Sequence, residues 1–257
     1  MVKGLYTAYT GLVNQQNRLD VVSNNLANAT TVAYKKEGAT SQSFDAMMAI
    51  KVKDSTSGFL NENIGDLNLG VKIGETYRDY GQGSFRETEN DYDVAIAGNG
   101  FFNISFTNKA GETSTMYTRD GNFEVTQDGY LVTKDGDFVL GDGGTPVQIP
   151  TTAAEVSIAS NGTITADGTV VGRLAMTDFE DYNYLEQYGE NLYRAVEGAT
   201  ETPATGVVHQ GYLEMSNVNT VSEMVQMITI SRAFESNQKV MTAIDATLEK
   251  AVTLGQL

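Results

Sequence analysis

The chain has 257 residues, 40% of them hydrophobic, and a formal net charge of −16 at pH 7. That length allows one large core or two modest ones, and the negative charge argues against nucleic acid as a partner, since phosphates would be repelled. The absence of cysteine excludes disulfides, thiolate metal sites and a cysteine nucleophile.

No run approaches the roughly 18 apolar residues of a membrane span. The N-terminus MVKGLYTAYTGLVNQQ lacks the continuous apolar core of a cleavable secretory signal. If the protein leaves the cytosol, it is expected to do so by another route.

In chain order, Leu5, Leu12, Leu19 and Leu26 recur at a spacing of seven, with Ala8, Gln15, Val22 and Ala29 three residues on. This spacing predicts an N-terminal helix within residues 1–35, with a coiled-coil-like seam. Gly4 and Gly11 lie inside the pattern, each costing about 1 kcal/mol relative to alanine, so the helix alone is marginal. At its far end the stretch SNNLANAT sets Asn24, Asn25 and Asn28, poor helix formers, beside the seam. A buried asparagine lowers stability but fixes register, because its amide must find partners. The three are therefore expected to bond to neighbouring helices or to connecting backbone. Asn28-Ala29-Thr30 also has the form of a glycosylation acceptor, a tripeptide too common to carry weight.

Residues 36–75 are mixed and polar, without a sustained period, and read as an extended connecting arm with a short helix near residues 44–50. From 76 to 213 the pattern changes to a central all-β domain. Asp120-Gly121, Asp128-Gly129, Asp135-Gly136, Asp142-Gly143, Asn161-Gly162 and Asp167-Gly168 separate short alternating segments. Such dipeptides suit hairpin turns that require positive φ. Residues 94–96 and 101–106, around Gly98-Asn99-Gly100, are its expected most buried strands.

Chemistry is sparse in this region. Gly98-Asn99-Gly100 lacks a third glycine, since Asn103 stands there, and a strand rather than a helix follows, so a dinucleotide loop is rejected. A catalytic triad would depend on His209, in a loop-like stretch without a G-x-S-x-G motif anywhere, so an exposed, inert histidine is expected. Glu87, Glu89, Asp91 and Asp93 alternate and in a strand would share a face, read here as solvated acid rather than a cation site. Tyr182, Tyr184 and Tyr188 near Asp178, Glu180 and Asp181 could line a glycan groove, although packing on the sheet is the simpler explanation. No nucleophile, base and oxyanion site converge, so no enzyme, cofactor or small-molecule substrate is expected.

Residues 214–257 repeat the N-terminal design. Met227, Phe234, Met241 and Leu248 form one row at sevens, with Ile230, Asn237, Ile244 and Ala251 beside it. Thr220 and Glu223 fit a capping box and Gly255 a stop. A helix over 218–254 would run on the order of 55 Å at 1.5 Å per residue. The fold class is thus α+β: long N- and C-terminal helices in a coiled-coil-like domain, with a central all-β domain. Two long helices meeting along one seam leave Val13, Val221, Met224 and Ile228 exposed, which favours assembly with further chains. The seam residues and the asparagines are the candidate assembly interface. The runner-up is a secreted β-rich adhesin or glycan-binding module on a coiled-coil stalk.

Four motifs, in order, resemble the bacterial flagellar axial proteins, most closely the basal-body rod proteins. They are Gly11-Leu12 with residues 15–20 and Ser23-Asn24-Asn25-Leu26-Ala27-Asn28; the stretch at 93–102, Asp-Val-Ala-Ile-Ala-Gly-Asn-Gly-Phe-Phe; Tyr117-Thr118-Arg119-Asp120-Gly121-Asn122-Phe123 with residues 128–133; and Gln210-Gly211-Tyr212-Leu213-Glu214 with residues 216–219. The resemblance implies a subunit that assembles with its copies and other rod and hook proteins into a helical tube, terminal helices lining the inner wall and β domain outside. It also implies delivery by the flagellar type III export apparatus. Asn191-Leu192-Tyr193 and the C-terminal motif look most like the distal rod, and closely related proximal members share them. Where the family usually has a glycine before the aromatic-lysine pair, this chain has Ala33 before Tyr34-Lys35.

Overall fold

A computed structural model describes residues 2–44, 47–51, 62–68, 70–108, 111–153, 155–189 and 191–254. The chain divides into two compact units. One combines Met1–Ala27, Glu37–Asp79 and Asn219–Leu257; the other combines Asn28–Lys36 and Tyr80–Val218.

The first unit is built on two helices, α1 (Val2–Ala27) and α2 (Thr220–Leu254). Each carries an apolar row at helical spacing, and the rows bury against one another. The helices run antiparallel: Gly4 lies at the level of Ile244, Gly11 at Asn237 and Asn25 at Glu223. No helix among the described residues is long and apolar enough to cross a membrane.

The expected short helix near residues 44–50 is not formed, although residues 45–46 lie outside those described. Instead β1 (Glu37–Ser43) pairs antiparallel with β4 (Val71–Arg78), and between them β2 (Met47–Lys51) pairs with β3 (Glu62–Leu67). A segment this short gains little as an isolated helix, because nucleation is costly. Strand pairing satisfies its backbone at once. The expected stop at Gly255 lies outside the described residues; α2 is described to Leu254.

The second unit is all β apart from one short 3₁₀ turn, among the described residues. Its centre is β7 (Phe101–Thr107), which follows β5 (Phe85–Glu87) and β6 (Val94–Ala97) and precedes β8 (Thr113–Thr118). Strand β7 pairs with β8, with Phe138–Val139 and with Met176–Phe179 in one large sheet. The period of two sends its side chains to opposite faces. Phe102 and Ile104 enter a core with Val94, Ile96, Phe123, Leu131, Ile164 and Leu174, whereas Phe101 enters a separate aromatic cluster with Tyr117, Phe179 and Tyr193. Residues 94–96 are wholly buried, as expected; of residues 101–106 only Phe101, Phe102 and Ile104 are, because alternate side chains reach the less covered parts of the sheet.

The Asp-Gly and Asn-Gly pairs divide by cause. Gly129, Gly136, Gly162 and Gly168 take positive φ, as hairpin turns require. Gly121 does not. A Cβ there would lie 1.6 Å from the Val94 carbonyl oxygen, so that glycine is demanded by close backbone approach.

Candidate functional site

The seam residues predicted on α1 and α2 meet in the first unit. Ala8, Leu12 and Val22 are buried and Leu5, Leu19 and Leu26 partly so; across from them Ile230 is buried, and Met227, Phe234, Asn237, Met241, Ile244 and Leu248 are partly buried. The rows end before their last predicted members, since Ala29 lies beyond the end of α1 and Ala251 is exposed. Gly11 allows close approach, because a Cβ there would sit 3.1 Å from Asn237 Nδ2.

The asparagines at the end of α1 differ in role. Asn25 is buried, its Nδ2 donating to the Glu37 carbonyl at 2.8 Å while its Oδ1 accepts from the Glu37 N–H at 2.9 Å. The same Nδ2 reaches Glu223 Oε2 of α2 at 3.4 Å. One amide thereby fixes the end of α1, the start of β1 and the first turns of α2. Asn28 lies past the helix and stabilises a turn, its Oδ1 accepting from Thr31 Oγ1 at 3.1 Å. Asn24 is exposed.

The opposite side of α1 is held to the β1–β4 pair, where Asn14 Nδ2 donates to Ser41 Oγ at 3.1 Å. The start of α2 departs from the expected capping box. Asn219, not Thr220, caps it: its Oδ1 accepts from the Ser222 N–H at 3.1 Å. Glu223 instead turns inward to Asn25, which is why a carboxylate in the first turn is wholly buried. Val13, Val221, Met224 and Ile228 are exposed in the single chain, as expected.

In the second unit three of the quoted motifs converge on a charge cluster that pattern reading missed. Glu214, 1% exposed, receives Lys35 Nζ at 2.6 Å and the Gly83 N–H at 2.9 Å on Oε1, and Arg119 NH1 at 3.4 Å on Oε2. Lys35 Nζ also donates to the Gly81 carbonyl at 2.9 Å, and the Arg119 guanidinium stands 5.2 Å over the Phe101 ring. Lys35 and Glu214 each follow an apolar residue, Tyr34 and Leu213, which was the available signal; Arg119, between Thr118 and Asp120, gave none. Lys, Arg and Glu are seldom this buried unless paired. Beside them Ala33 has φ 58° and donates its N–H to the Glu214 carbonyl at 2.8 Å, so the left-handed turn survives without glycine.

The remaining chemical candidates disperse. Glu87 ends β5 and Glu89 and Asp91 are exposed outside it, while Asp93 is buried against Asn90 Nδ2, so the four carboxylates share no strand face. Among the described residues no group of three or more His, Cys, Asp or Glu is placed to hold a metal ion. His209 is exposed, but in strand Val207–Gln210 rather than a loop, with the Phe85 and Tyr212 rings nearby. Tyr182 packs into the aromatic cluster with Tyr80 and Phe101 and donates to Asp178 Oδ1 at 2.8 Å; burial and that carboxylate push its hydroxyl up to about 12. Tyr184 and Tyr188 are exposed. A cleft of about 360 Å³ includes Asp120, Asp137 and Asn191. Burial raises the Asp120 carboxyl above its ordinary value despite hydrogen bonds from the Asn122 N–H and Asn191 Nδ2.

Comparison with known proteins covers all of these regions. Residues 5–35 match the model of the flagella basal body rod protein family, residues 95–166 that of the flagellar hook protein FlgE/F/G D1 domain, and residues 209–254 that of the flagellar basal body rod FlgEFG protein C-terminal region. The chain is 33% identical to the flagellar basal-body rod protein FlgG of Bacillus subtilis (strain 168), over 99% of each chain. It is 33% identical to FlgG of Buchnera aphidicola subsp. Acyrthosiphon pisum (strain APS), over 97% of this chain and 98% of the relative. Identity to the rod protein FlgF of Caulobacter vibrioides is 35%, over 94% of this chain and 93% of the relative.

Proposed function

The chain belongs to the flagellar basal-body rod protein family and is a structural subunit of the rod, and from that premise we propose how its two units serve assembly. The subunit joins its copies and other axial proteins into a helical tube that transmits torque. The interface is the α1–α2 pair: Leu5, Leu12, Leu19 and Leu26 with Met227, Ile230, Phe234, Asn237, Met241, Ile244 and Leu248, in coiled-coil-like packing, with Asn24, Asn25 and Asn28 setting register at one end. It reaches the envelope through the flagellar type III export apparatus. It acts without enzymatic activity, cofactor, nucleic acid or small-molecule substrate. A distal place in the rod rests on Asn191-Leu192-Tyr193 and the C-terminal motif.

One observation supports this reading most directly. Of the seven seam residues on α2, only Ile230 is fully buried by the chain's own α1, and the rest keep part of their surface open. A helix of 35 residues apposed to one of 26 leaves apolar surface that further chains can cover. The test is electron microscopy of basal bodies from cells lacking this chain. A truncated rod is expected, restored by the wild-type protein; a complete rod in its absence overturns the proposal.

A further inference from the structure

On the first unit two apolar features share a spacing. From Thr220 to Ser231 the exposed face of α2 carries no charge, because the one ionisable residue there, Glu223, is buried inward. Val221, Met224, Val225 and Ile228 stand out from that face as a ridge, each more than half exposed. Their spacing of i, i+3, i+4, i+7 places them on a single stripe turned away from α1.

The second feature is a groove of about 270 Å³ between α1 and the β1–β4 pair. Its α1 wall is Tyr6, Tyr9, Thr10 and Val13, again i, i+3, i+4, i+7, and Phe44 and Ile73 face them. Tyr6 and Tyr9 are half exposed; Asn14 and Asn17 add uncharged polar groups to the lining, and Lys72 is its one charged residue. Rows of this spacing interdigitate when helices pack. An uncharged, apolar ridge entering such a groove leaves almost no charge to desolvate.

The antiparallel register keeps the two features apart within one chain. Met224 lies level with the end of α1 and the groove near its start, so they are separated by roughly 20 Å along the helix axis at 1.5 Å per residue. We propose that the groove of one copy receives the Val221–Ile228 ridge of a second copy displaced along the axis. Ridge and groove are different surfaces, so the contact is head-to-tail and leaves a free ridge and a free groove at the ends of every stack. Such a contact propagates without closing. This inference rests on the assembly reading above and assigns the surfaces that meet.

The chain has no cysteine, so introduced cysteines report contacts cleanly. Basal bodies from cells whose chain carries both Tyr9→Cys and Met224→Cys are oxidised and separated on a non-reducing gel. A ladder of disulfide-linked multimers is expected, and it is lost with either substitution alone or when Glu235→Cys replaces Met224→Cys. Complete rods without a ladder, or an equal ladder from Met224→Cys alone, overturn the pairing while leaving the assembly reading intact. Where the double cysteine chain builds no rods, Tyr9→Lys and Met224→Glu decide. Each alone is expected to abolish swimming and the two together to restore it, and absence of rescue overturns the pairing. Complete rods in cells lacking the chain defeat the assembly reading instead, a result the cross-link cannot mimic.

Discussion

Ala33 holds a left-handed backbone at φ 58° with its methyl buried. The strain of that conformation is on the order of 1 kcal/mol for a residue with a Cβ, similar to the roughly 0.8 kcal/mol contributed by burying a methyl group. Ala33→Gly is therefore expected to change stability by less than about 1 kcal/mol. Ala33→Val adds branching at a conformation that resists it and volume at a packed site, and should cost about 2 kcal/mol or more in urea unfolding. Asp120 gives a prediction in pH. Its folded carboxyl lies above its ordinary 3.8 because burial penalises the charge. Its contribution to stability is thus full below pH 3.8 and lost as pH rises through the folded value. Asp120→Asn keeps an acceptor for the Asn122 N–H and offers an amide to Asn191 Oδ1, which is buried without a partner. The variant should match the wild type in urea unfolding below pH 3.8 and gain on it as pH rises to 7; equal curves throughout would refute the assignment.

Among the elements, α1 depends most on Asn25. Its amide pairs with both backbone groups of Glu37, as a strand residue would, and also meets buried Glu223. Asn25→Leu strands those groups away from water, at about 1 to 3 kcal/mol for each unsatisfied partner. Unfolding in urea should move by roughly 2 to 3 kcal/mol, and amide exchange at Glu37 should accelerate; an unshifted midpoint would mean that water replaces the side chain freely. The spacing of leucines was legible in the sequence because an amphipathic helix repeats its pattern. The strand at Met47–Lys51 was not, because five residues have no period long enough to separate strand from buried helix, and the partner at Glu62–Leu67 decides. The capping residue was misplaced by one, Asn219 for Thr220, since Glu223 reads as a capping-box partner until its burial is known.

For the whole molecule the net charge of −16 opposes association. Like-charged copies repel over a Debye length of about 10 Å at 0.1 M salt and about 3 Å at 1 M. An uncharged apolar contact is not weakened by that screening, so association of the purified chain, followed by sedimentation, should rise between 0.1 and 1 M sodium chloride. A fall would show that ion pairs between copies carry the contact.

The sequence alone determined the two helical rows, the turn-rich β region with its most buried strands, and the family, because periodicity and ordered motifs are local properties that need no partner to be read. Which asparagine is buried, how Lys35, Arg119 and Glu214 come together, and where the ridge stands relative to the groove were decided only by tertiary structure. Each depends on segments far apart in the chain arriving at one place, and a buried amide or charge is defined by the partners that meet it there.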